Sequence, residues 1–426
     1  MAFLAAFYYG FPANKMVVIG VTGTTGKSTT VKMIGEILEE SGARIGWLSS
    51  LSIKVLDKER INPYHMTMLG PRALQKELQD MKKKGIHYAI IEVTSEGIKQ
   101  HRHLGINFDV LVFTNLAPEH IESHGSFENY KNAKLTVFRE LGRSKKKNFA
   151  WLDKNPQPKI IVANLDNEHA EDFLKNKADR KYGFSLETIE ALPEKTKLLR
   201  AESFRMKENG SSFVLDSTHF DIPLLGEFNI YNALAAITTA RALKIDFLTA
   251  KHALAKIKIV AGRMEKVDND KGLNVIVDLA HTPDSLKQVY EALRKSYFLV
   301  PGLKNMICVF GSAGGIRDKW KRPVLGEIAA EYCDKAFITN EDPYDEDPQK
   351  IIKEIAEGFK KKDKELGKDF AIIEDRREAI RAALSSAKKG DLVILTGKGT
   401  EATMVLNEGS MPWNERKVTE EEIGKL

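Results

Sequence analysis

A glycine-rich segment near the N-terminus has the residues that a polyphosphate-binding turn needs. It reads Gly-Val-Thr-Gly-Thr-Thr-Gly-Lys-Ser-Thr-Thr from residue 20 and follows an apolar, strand-like run. Gly23 and Gly26 let the backbone curl so that successive N–H groups point inward, where they can cradle a polyphosphate. Lys27 adds a positive charge for the outer phosphates, and the Ser28 hydroxyl can ligate Mg²⁺. The spacing therefore predicts nucleotide binding, with the N-terminus of the following helix directed at the anion.

One position departs from the strict phosphate-loop pattern. Val21 stands where that pattern has a glycine, so the segment is a shortened loop. A glycine-rich strand-to-helix turn that binds nothing is the alternative. The order of strand, loop, Lys-Ser and helix favours nucleotide binding over that alternative.

Polar side chains follow two further strand-like runs in the first half of the chain. Glu92 ends an apolar run, and Asn115 and His120 follow another. Ligands of open α/β sheets bind at such strand ends, where a carboxylate can hold Mg²⁺ and a neutral imidazole can be a second metal ligand. Each residue alone would more often be a cap or loop residue. Lys134, on a predicted helix over 127–141, would by itself be a solvated lysine.

The second half adds candidate nucleotide contacts. Asn229 and Asn232 share one helix face, so they could read a purine edge or serve as helix caps. Asp278 closes a strand-like run, and its carboxylate suits ribose hydroxyls or the initiation of a turn. Two more glycine-rich strand exits lie at 311–319 and 397–401.

The elements that must position these residues alternate between strands and helices. Strand-like runs at 16–19, 88–93, 110–114 and 160–164 are followed, after residue 262, by runs at 275–277, 306–310, 336–339, 370–373 and 392–395. Such alternation is typical of parallel α/β sheets, and shorter alternating runs over 198–223 indicate an antiparallel addition. We therefore predict an α/β fold with an apolar N-terminal segment (1–14), a central ATP-binding domain with a mostly parallel sheet (15–260) and a C-terminal Rossmann-like α/β domain (261–426). The boundary is expected at 258–262.

Composition restricts the partners and the compartment. The 426 residues carry 65 basic and 59 acidic side chains, a net charge of +6 that is dispersed along the chain. The short lysine runs at 145–147 and 360–362 are interpreted as solvated surface, and no nucleic-acid partner is expected. Cys308 and Cys333 have no pairing or metal spacing, and Cys308 lies in a core-like run. This cysteine usage predicts a cytoplasmic protein.

Taken in order, these segments resemble the Mur ligase family, which makes amide bonds with ATP. Nine segments carry the resemblance, from the glycine-rich loop through Glu92-Val-Thr-Ser95, Tyr130 to Lys134 and Gly226 to Asn232, to Gly397-Lys-Gly-Thr-Glu401. Within the family, the members that add the third residue of the peptidoglycan stem peptide are most similar. The resemblance implies ATP, two Mg²⁺ ions, a muramyl-peptide-type acceptor and an amino acid, joined through an acyl phosphate.

The resemblance also implies a role for each matching position. Catalysis would involve Lys27, Glu92, His120 and Lys134, and the metals would be held by Ser28, Glu92, His120 and a Lys134 that CO₂ has converted to a carbamate. The nucleotide would be bound by Gly23, Thr24, Thr25, Gly26, Lys27, Ser28, Thr29, Asn229, Asn232, Arg263, Asp278 and His281. The acceptor and amino acid would contact Thr67, Thr94, Ser95, Arg102, Arg317, Asp342, Tyr344, Lys398 and Glu401.

The sequence departs from the family pattern at three places. We expect the family's N-terminal, uridine-nucleotide-binding domain to be absent before residue 15, in which case the acceptor could be a different or lipid-linked muramyl peptide, or a separate chain could replace that domain. Glu341-Asp-Pro-Tyr344 replaces the Asp-Asn-Pro-Arg of diaminopimelate-adding members, which argues against diaminopimelate because the bidentate arginine clamp is lost. Acidic neighbours at 341–347 would suit a cationic side chain or are simply solvated. Thr400 replaces the histidine of Gly-Lys-Gly-His-Glu.

Two other functions fit parts of the sequence. A folylpolyglutamate-synthetase-like ligase would share the loop and the modified lysine. A non-catalytic ATP-binding partner subunit would lack a use for a second metal site. We expect a monomeric ligase.

Overall fold

A computed structural model describes residues 1–64, 66–152, 155–207, 210–257, 262–295 and 303–426. The helices are α1 (Ala2–Tyr8), α2 (Lys27–Glu40), α3 (Pro71–Lys83), α4 (Ser95–Lys99), α5 (Ile121–His124), α6 (Phe127–Leu141), α7 (Ala170–Leu174), α8 (Glu227–Ala242), α9 (Phe247–Ala255), α10 (Pro283–Lys295), α11 (Lys321–Tyr332), α12 (Pro348–Lys360), α13 (Arg376–Ser386) and α14 (Glu415–Ile423), with a 3₁₀ turn at Pro12–Lys15. The strands are β1 (Val17–Thr22), β2 (Ile45–Leu48), β3 (Ser52–Val55), β4 (Lys58–Ile61), β5 (Tyr88–Glu92), β6 (Val110–Phe113), β7 (Ile160–Asn164), β8 (Arg180–Ser185), β9 (Thr196–Lys207), β10 (Gly210–Leu215), β11 (Thr218–Ile222), β12 (Glu265–Lys266), β13 (Asn274–Val277), β14 (Met306–Phe310), β15 (Lys335–Ile338), β16 (Phe370–Ile372), β17 (Leu392–Leu395), β18 (Thr403–Leu406) and β19 (Gly409–Pro412).

The first sheet places the glycine-rich loop at its centre. Its described strands run in the order β11-β10-β9-β8-β7-β6-β1-β5-β2-β3-β4, and β1 pairs in parallel with both β5 and β6. Every residue of β1 is buried because helices cover both faces of the sheet. The carboxyl ends of β1, β5 and β6 therefore bring the glycine-rich loop, Glu92 and Asn115 to one edge, as predicted.

Both outer parts of this sheet are antiparallel. β10 pairs with β9 and with β11, which confirms the antiparallel addition predicted over 198–223. At the other edge, β2, β3 and β4 form a meander that the sequence interpretation missed. β4 is exposed at every position, so its hydrophobic pattern carries no signal of a strand.

A second, smaller sheet carries the other candidate residues. Its described strands run β12-β13-β17-β14-β15-β16, parallel except for β12, and β18 and β19 form a separate hairpin. Buried residues of α10 to α12 pack on one face and those of α13 and α14 on the other. The predicted boundary at 258–262 falls almost wholly on residues 258–261, which lie outside the described residues.

Two interpretations of the sequence are wrong. Cys308 and Cys333 form a disulfide, which joins β14 to the end of α11 across 25 residues of sequence. Their wide spacing gave no signal because the pairing depends on where α11 packs. Lys147 is buried rather than solvated, and its Nζ donates to Asp109 Oδ2 at 2.6 Å.

The N-terminal segment packs against the first domain, as expected. Ala6 of α1 lies against Gly105, where any Cβ would approach the Ala6 Cβ to 2.3 Å. No helix within the described residues is both long and apolar enough to cross a membrane.

Candidate active site

The glycine-rich loop is held in a curled conformation by neighbouring strand ends. The backbone N–H groups of Thr24 and Thr25 donate to Asn115 Oδ1 at 3.2 and 2.9 Å. Gly26 begins α2 with φ +77°, and a Cβ there would lie 2.2 Å from Asn232 Oδ1. Glycine is therefore required at 26 both for the backbone angle and for the close approach of α8. Lys27 folds back so that its Nζ donates to the Thr24 carbonyl at 2.8 Å.

The predicted metal ligands of the loop and of β5 lie together. Ser28 Oγ donates to Glu92 Oε2 at 2.9 Å, and the Ser50 N–H donates to the same oxygen at 2.9 Å. Glu92 is buried and holds its position at the carboxyl end of β5. Hydroxyl and carboxylate oxygens at a phosphate loop suit Mg²⁺. No three acidic, histidine or cysteine side chains converge on one point among the described residues, so phosphate oxygens and water would complete the coordination shell, as is usual for Mg²⁺ at nucleotides.

Lys134 is buried beside the loop and is not solvated as a helical lysine usually is. Its Nζ donates to the Gly23 carbonyl at 2.8 Å and lies 4.7 Å from the centre of the Tyr130 ring. Burial, reinforced by the charge of Lys27, holds the pKa of Lys134 well below its ordinary value. The side chain is therefore inclined toward the neutral, nucleophilic amine.

A buried carboxylate that the sequence interpretation did not single out links the two domains. Glu119 Oε1 lies 3.9 Å from His120 Nε2 and 3.8 Å from His281 Nε2. Although burial opposes ionisation, His120, His281 and Lys321 lower the pKa of Glu119 to about 2. Burial lowers the pKa of His120 and lowers that of His281 to about 3, so both imidazoles are neutral near pH 7. Glu119 could have been singled out from the sequence because it precedes His120 in the turn that follows β6.

A cavity of about 510 Å³ lies between the domains and begins at the glycine-rich loop. Asn229 and Asn232 line it from α8, and Asn232 Nδ2 donates to Asn229 Oδ1 at 3.1 Å, which confirms that they share a face. Arg263 and Asp278 line it from the second domain. Both carboxylate oxygens of Asp278 accept backbone N–H groups, and burial raises its pKa. The Nε of Arg263 is buried and has no hydrogen-bond partner within the described residues, as expected of a group that meets a ligand.

The predicted amino-acid contacts gather at strand exits of the second sheet. Lys398 is fully buried, and its Nζ donates to both oxygens of Asp342 at 2.9 and 2.8 Å and to Glu401 at 2.6 Å. Burial opposes this charge, but the two carboxylates raise the pKa of Lys398. Tyr344 and Arg317 follow two of these strand exits, and both side chains are exposed.

Glu341 differs from its acidic neighbours because one of its oxygens has no hydrogen-bond partner among the described residues. Its Oε2 is buried without a partner in the described part of the chain, and burial raises its pKa to about 7. Its neighbours are already engaged: Glu346 accepts from Arg322, and Asp347 caps α12. The expectation that the whole acidic stretch would receive a cationic side chain is therefore too broad.

The predicted acceptor contacts form a separate group on the first domain. Arg102 Nη1 donates to the Met68 carbonyl at 2.6 Å, which places the guanidinium beside the segment that contains Thr67. Thr94 Oγ1 accepts from Gly97 N–H and caps α4, and Ser95 is buried at the start of that helix. Thr94 and Ser95 follow β5 directly, so they lie on the same sheet edge as Glu92.

The loop that contains Asp318 and Lys319, in the second domain, contacts α5 of the first domain. Asp318 accepts the N–H groups of Ile121 and Glu122 at 3.2 and 2.9 Å, and Lys319 N–H donates to Glu122 at 2.7 Å. Arg317, one residue earlier, adds its charge near both His120 and Glu401. The lining of the interdomain cavity contains residues of the glycine-rich loop but none of the predicted acceptor or amino-acid contacts. The Asp318 contacts bring the strand exits of the second sheet toward α5 of the first domain.

Known proteins resemble this chain in both sequence and fold. Residues 21–240 match the Mur ligase middle domain, and residues 262–399 match the Mur ligase glutamate ligase domain. The chain is 38% identical over 425 residues to a UDP-N-acetylmuramoyl-L-alanyl-D-glutamate–2,6-diaminopimelate ligase of Syntrophomonas wolfei, covering 99% of this chain and 81% of that protein. It is 35% identical to a UDP-N-acetylmuramyl-tripeptide synthetase of Roseiflexus sp., covering 100% of this chain and 82% of that protein. A solved structure of a UDP-N-acetylmuramoyl-L-alanyl-D-glutamate–2,6-diaminopimelate ligase superimposes with a TM-score of 0.61 at 28% identity, covering 96% of this chain and 78% of the other.

Proposed function

This chain belongs to the Mur ligase family of ATP-dependent amide ligases, and from that premise we propose that it joins an amino acid to a carboxylate of a muramyl-peptide-type acceptor. The observation that carries the proposal is the interdomain cavity, lined by the phosphate loop of one domain and by Arg263 and Asp278 of the other. A kinase or GTPase built on the first domain alone would have no use for the second. A non-catalytic binder would have no use for the buried Lys134 beside the loop.

The chemistry follows from the low reactivity of a carboxylate toward amines. An acceptor carboxylate oxygen attacks the γ-phosphorus of ATP, the bond to the β–γ bridging oxygen breaks, and ADP leaves with that electron pair. The neutral amine attacks the acyl phosphate that results, phosphate leaves, and the nitrogen releases one proton to give the amide. Lys27 and the loop N–H groups would stabilise the transferring phosphoryl group. Mg²⁺, held by Ser28 and Glu92, would neutralise phosphate charge.

We propose that Lys134 is carbamylated. A neutral amine can attack CO₂, forming an N–C bond and releasing a proton, and the lowered pKa of Lys134 favours that neutral form. The product is an anion beside the loop, which would supply a ligand for a second Mg²⁺ together with His120. The carbonyl of Gly23 and the ring of Tyr130 surround the nitrogen.

The incoming amino acid is proposed to have a cationic side chain rather than the distal carboxylate of diaminopimelate. Tyr344 provides no guanidinium to clamp a second carboxylate. Glu341 keeps an oxygen that is buried and unpartnered among the described residues, and this oxygen can accept from an ammonium group. The proposed amino acid therefore differs from the 2,6-diaminopimelate in the name of the Syntrophomonas wolfei relative.

The test is a phosphate-release assay with purified enzyme, ATP and Mg²⁺. Acceptors are UDP-N-acetylmuramoyl-dipeptide, the same muramyl dipeptide without UDP, and a folate; amines are lysine, ornithine and diaminopimelate. We expect phosphate release with a muramyl acceptor and lysine or ornithine. Lys27→Ala is expected to reduce turnover about 10³-fold because it removes a charge from the transition state, whereas the surface variant Lys15→Ala should leave it unchanged. Release only with a folate acceptor, or full activity of Lys27→Ala, would refute the proposal.

The same proposal places the enzyme in the cytoplasm, where ATP is present, as a monomer. A separate chain that binds UDP stays a prediction. Full activity of the isolated chain on the UDP-linked acceptor would make such a partner unnecessary.

A further inference from the structure

Arg376 and Glu415 form a fully buried ion pair behind the strand exits of the second sheet. The guanidinium Nη2 lies 2.6 Å from Glu415 Oε1, and Nε lies 3.1 Å from both carboxylate oxygens. Trp413 Nε1 donates to Glu415 Oε2 at 2.6 Å. Burying two charges is unfavourable unless they are paired and their remaining groups are satisfied. Well-packed hydrophobic residues of similar volume are often as stabilising as a buried ion pair, so stability alone does not explain these two residues.

The remaining donors of Arg376 reach two different loops. Nη2 donates to the Thr396 carbonyl at 2.7 Å, and Nη1 donates to the Asn340 carbonyl at 3.2 Å. These carbonyls follow β17 and β15, which are not neighbours because β14 lies between them. One planar side chain therefore fixes the distance between two strand exits.

The two loops that begin there carry the candidate amino-acid contacts. Glu341 and Asp342 follow Asn340 directly, and Gly397 and Lys398 follow Thr396. The loops approach so closely that a Cβ on Gly397 would lie 2.4 Å from Glu341 Oε2. The Lys398–Asp342 ion pair closes the same gap from the other side. A small shift of either loop would therefore displace the groups that receive the amine.

We infer that Arg376 is a positioning residue for the incoming amine, anchored by Glu415, and that it sets the spacing between these two loops. The inference rests on the proposed function, because it takes the second-sheet strand exits as the amine site. The phosphate loop and Lys134 belong to the other domain, so loss of the spacing should weaken use of the amine and spare phosphoryl transfer.

The test compares two reactions in one enzyme. Amide formation needs the amine site, whereas hydroxylamine, a small nucleophile, captures an acyl phosphate as a hydroxamate without it. Arg376→Lys keeps the charge but cannot make the planar, bidentate contacts. We expect its KM for the amino acid that the wild-type enzyme uses best to rise about 10- to 100-fold, the scale of a misplaced reactant. Its KM for ATP and its rate of hydroxamate formation should stay within about twofold of wild type.

Two further variants keep the test decisive. Trp413→Phe removes one hydrogen bond to the anchor and leaves both charges, so it should fold and raise the same KM about threefold. Arg377→Gln is the control, because its side chain pairs with Glu421 and Glu422 outside the cleft. If Arg376→Lys does not fold, the Trp413→Phe result decides.

The outcomes separate this inference from the proposed function. A KM for ATP that rises as much as the KM for the amino acid would overturn the positioning role. So would an unchanged KM for the amino acid in Arg376→Lys or in a folded Trp413→Phe. Absence of both amide and hydroxamate in the wild-type enzyme would instead refute the proposed function.

Discussion

Glu341 is buried, and one of its oxygens has no partner among the described residues. Because burial disfavours the charged carboxylate, the stability of the protein should depend on pH through this residue. Its pKa is raised to about 7 in the folded chain, mainly by burial, from an ordinary value of 4.5. Between these two values the folded state binds more protons than the unfolded state, so stability falls as pH rises and is constant above pH 7. We expect the free energy of unfolding to drop by up to about 3 kcal/mol between pH 4.5 and 7.5 through this group.

Glu341→Gln should remove this pH dependence. Denaturation followed by tryptophan fluorescence at pH 5 and pH 8 measures it, with the exposed Glu378→Gln as the control. If wild type and Glu341→Gln lose the same stability between the two pH values, the carboxyl group is not protonated in the folded protein.

The proposed carbamate on Lys134 can be detected directly, because its carbonyl carbon has its own resonance. Wild-type protein equilibrated with ¹³C-labelled bicarbonate should show a carbamate carbonyl resonance that Lys134→Ala lacks. Lys131→Ala is the control on the same helix, since its Nζ is paired with Glu128 and Asp172 at the surface. Removal of CO₂ should lower activity reversibly. An unchanged resonance in Lys134→Ala would assign the modification to another amine.

Single residues differ in how well their neighbours can be inferred from sequence. The loop contacts of Ser28 with Glu92 were predictable, since both follow adjacent parallel strands. Glu119 was not, because its burial depends on His281 and Lys321, which are more than a hundred residues away and belong to the other domain. Arg376 was not predictable for a different reason: its partners lie in the same domain but become neighbours only after α13 and α14 pack on the sheet.

At the scale of an element, α2 has a left-handed glycine at each end, which gives a matched pair of variants. Gly26 has φ +77° and Gly42 has φ +82°, so alanine would be strained by a similar amount, about 1 kcal/mol, at both. Only at Gly26 does a Cβ meet another group, Asn232 Oδ1; no atom of the described chain lies within 4 Å at Gly42. Gly26→Ala should therefore weaken ATP binding at least about tenfold beyond any effect of Gly42→Ala. Calorimetric titration with ATP and Mg²⁺ measures the difference, and equal affinities would show that α8 does not constrain the loop.

Several strands that are buried on both faces were predictable, although β2, which is also buried throughout, was missed. β1, β5, β6 and β14 have continuous apolar runs, and the structure confirms them. The strands β3 and β4, which were also missed, have only four residues each. Because β4 is exposed at every position, neither hydrophobic periodicity nor apolar content marks β4 as a strand. Their pairing follows from the end of β2 and not from their own composition.

At the scale of the whole molecule, residues of both domains line the interdomain cavity, so the proposed nucleotide site forms only where the two domains approach each other. The buried carboxylate of Glu119, in the first domain, lies 3.8 Å from His281 Nε2 of the second domain, and the charge of Lys321 favours its ionised form. In the opposite direction, the Asp318 carboxylate of the second domain accepts from two backbone N–H groups of α5 in the first. The Asp318 hydrogen bonds are therefore the direct polar contacts through which we expect this loop to support the cleft, and closure of such clefts excludes water from a reaction.

Asp318→Ala tests this arrangement of domains. The variant leaves the two α5 N–H groups without their charged acceptor, and such hydrogen bonds contribute about 1.5–3 kcal/mol. We expect the radius of gyration in X-ray scattering to increase without nucleotide, and ATP affinity to fall about tenfold. Asp347→Ala is the control, because Asp347 also accepts a helix N–H but within the second domain. It should lower the melting temperature without changing ATP affinity. If both variants bind ATP as tightly as wild type, the contact of Asp318 with α5 does not contribute to formation of the cleft.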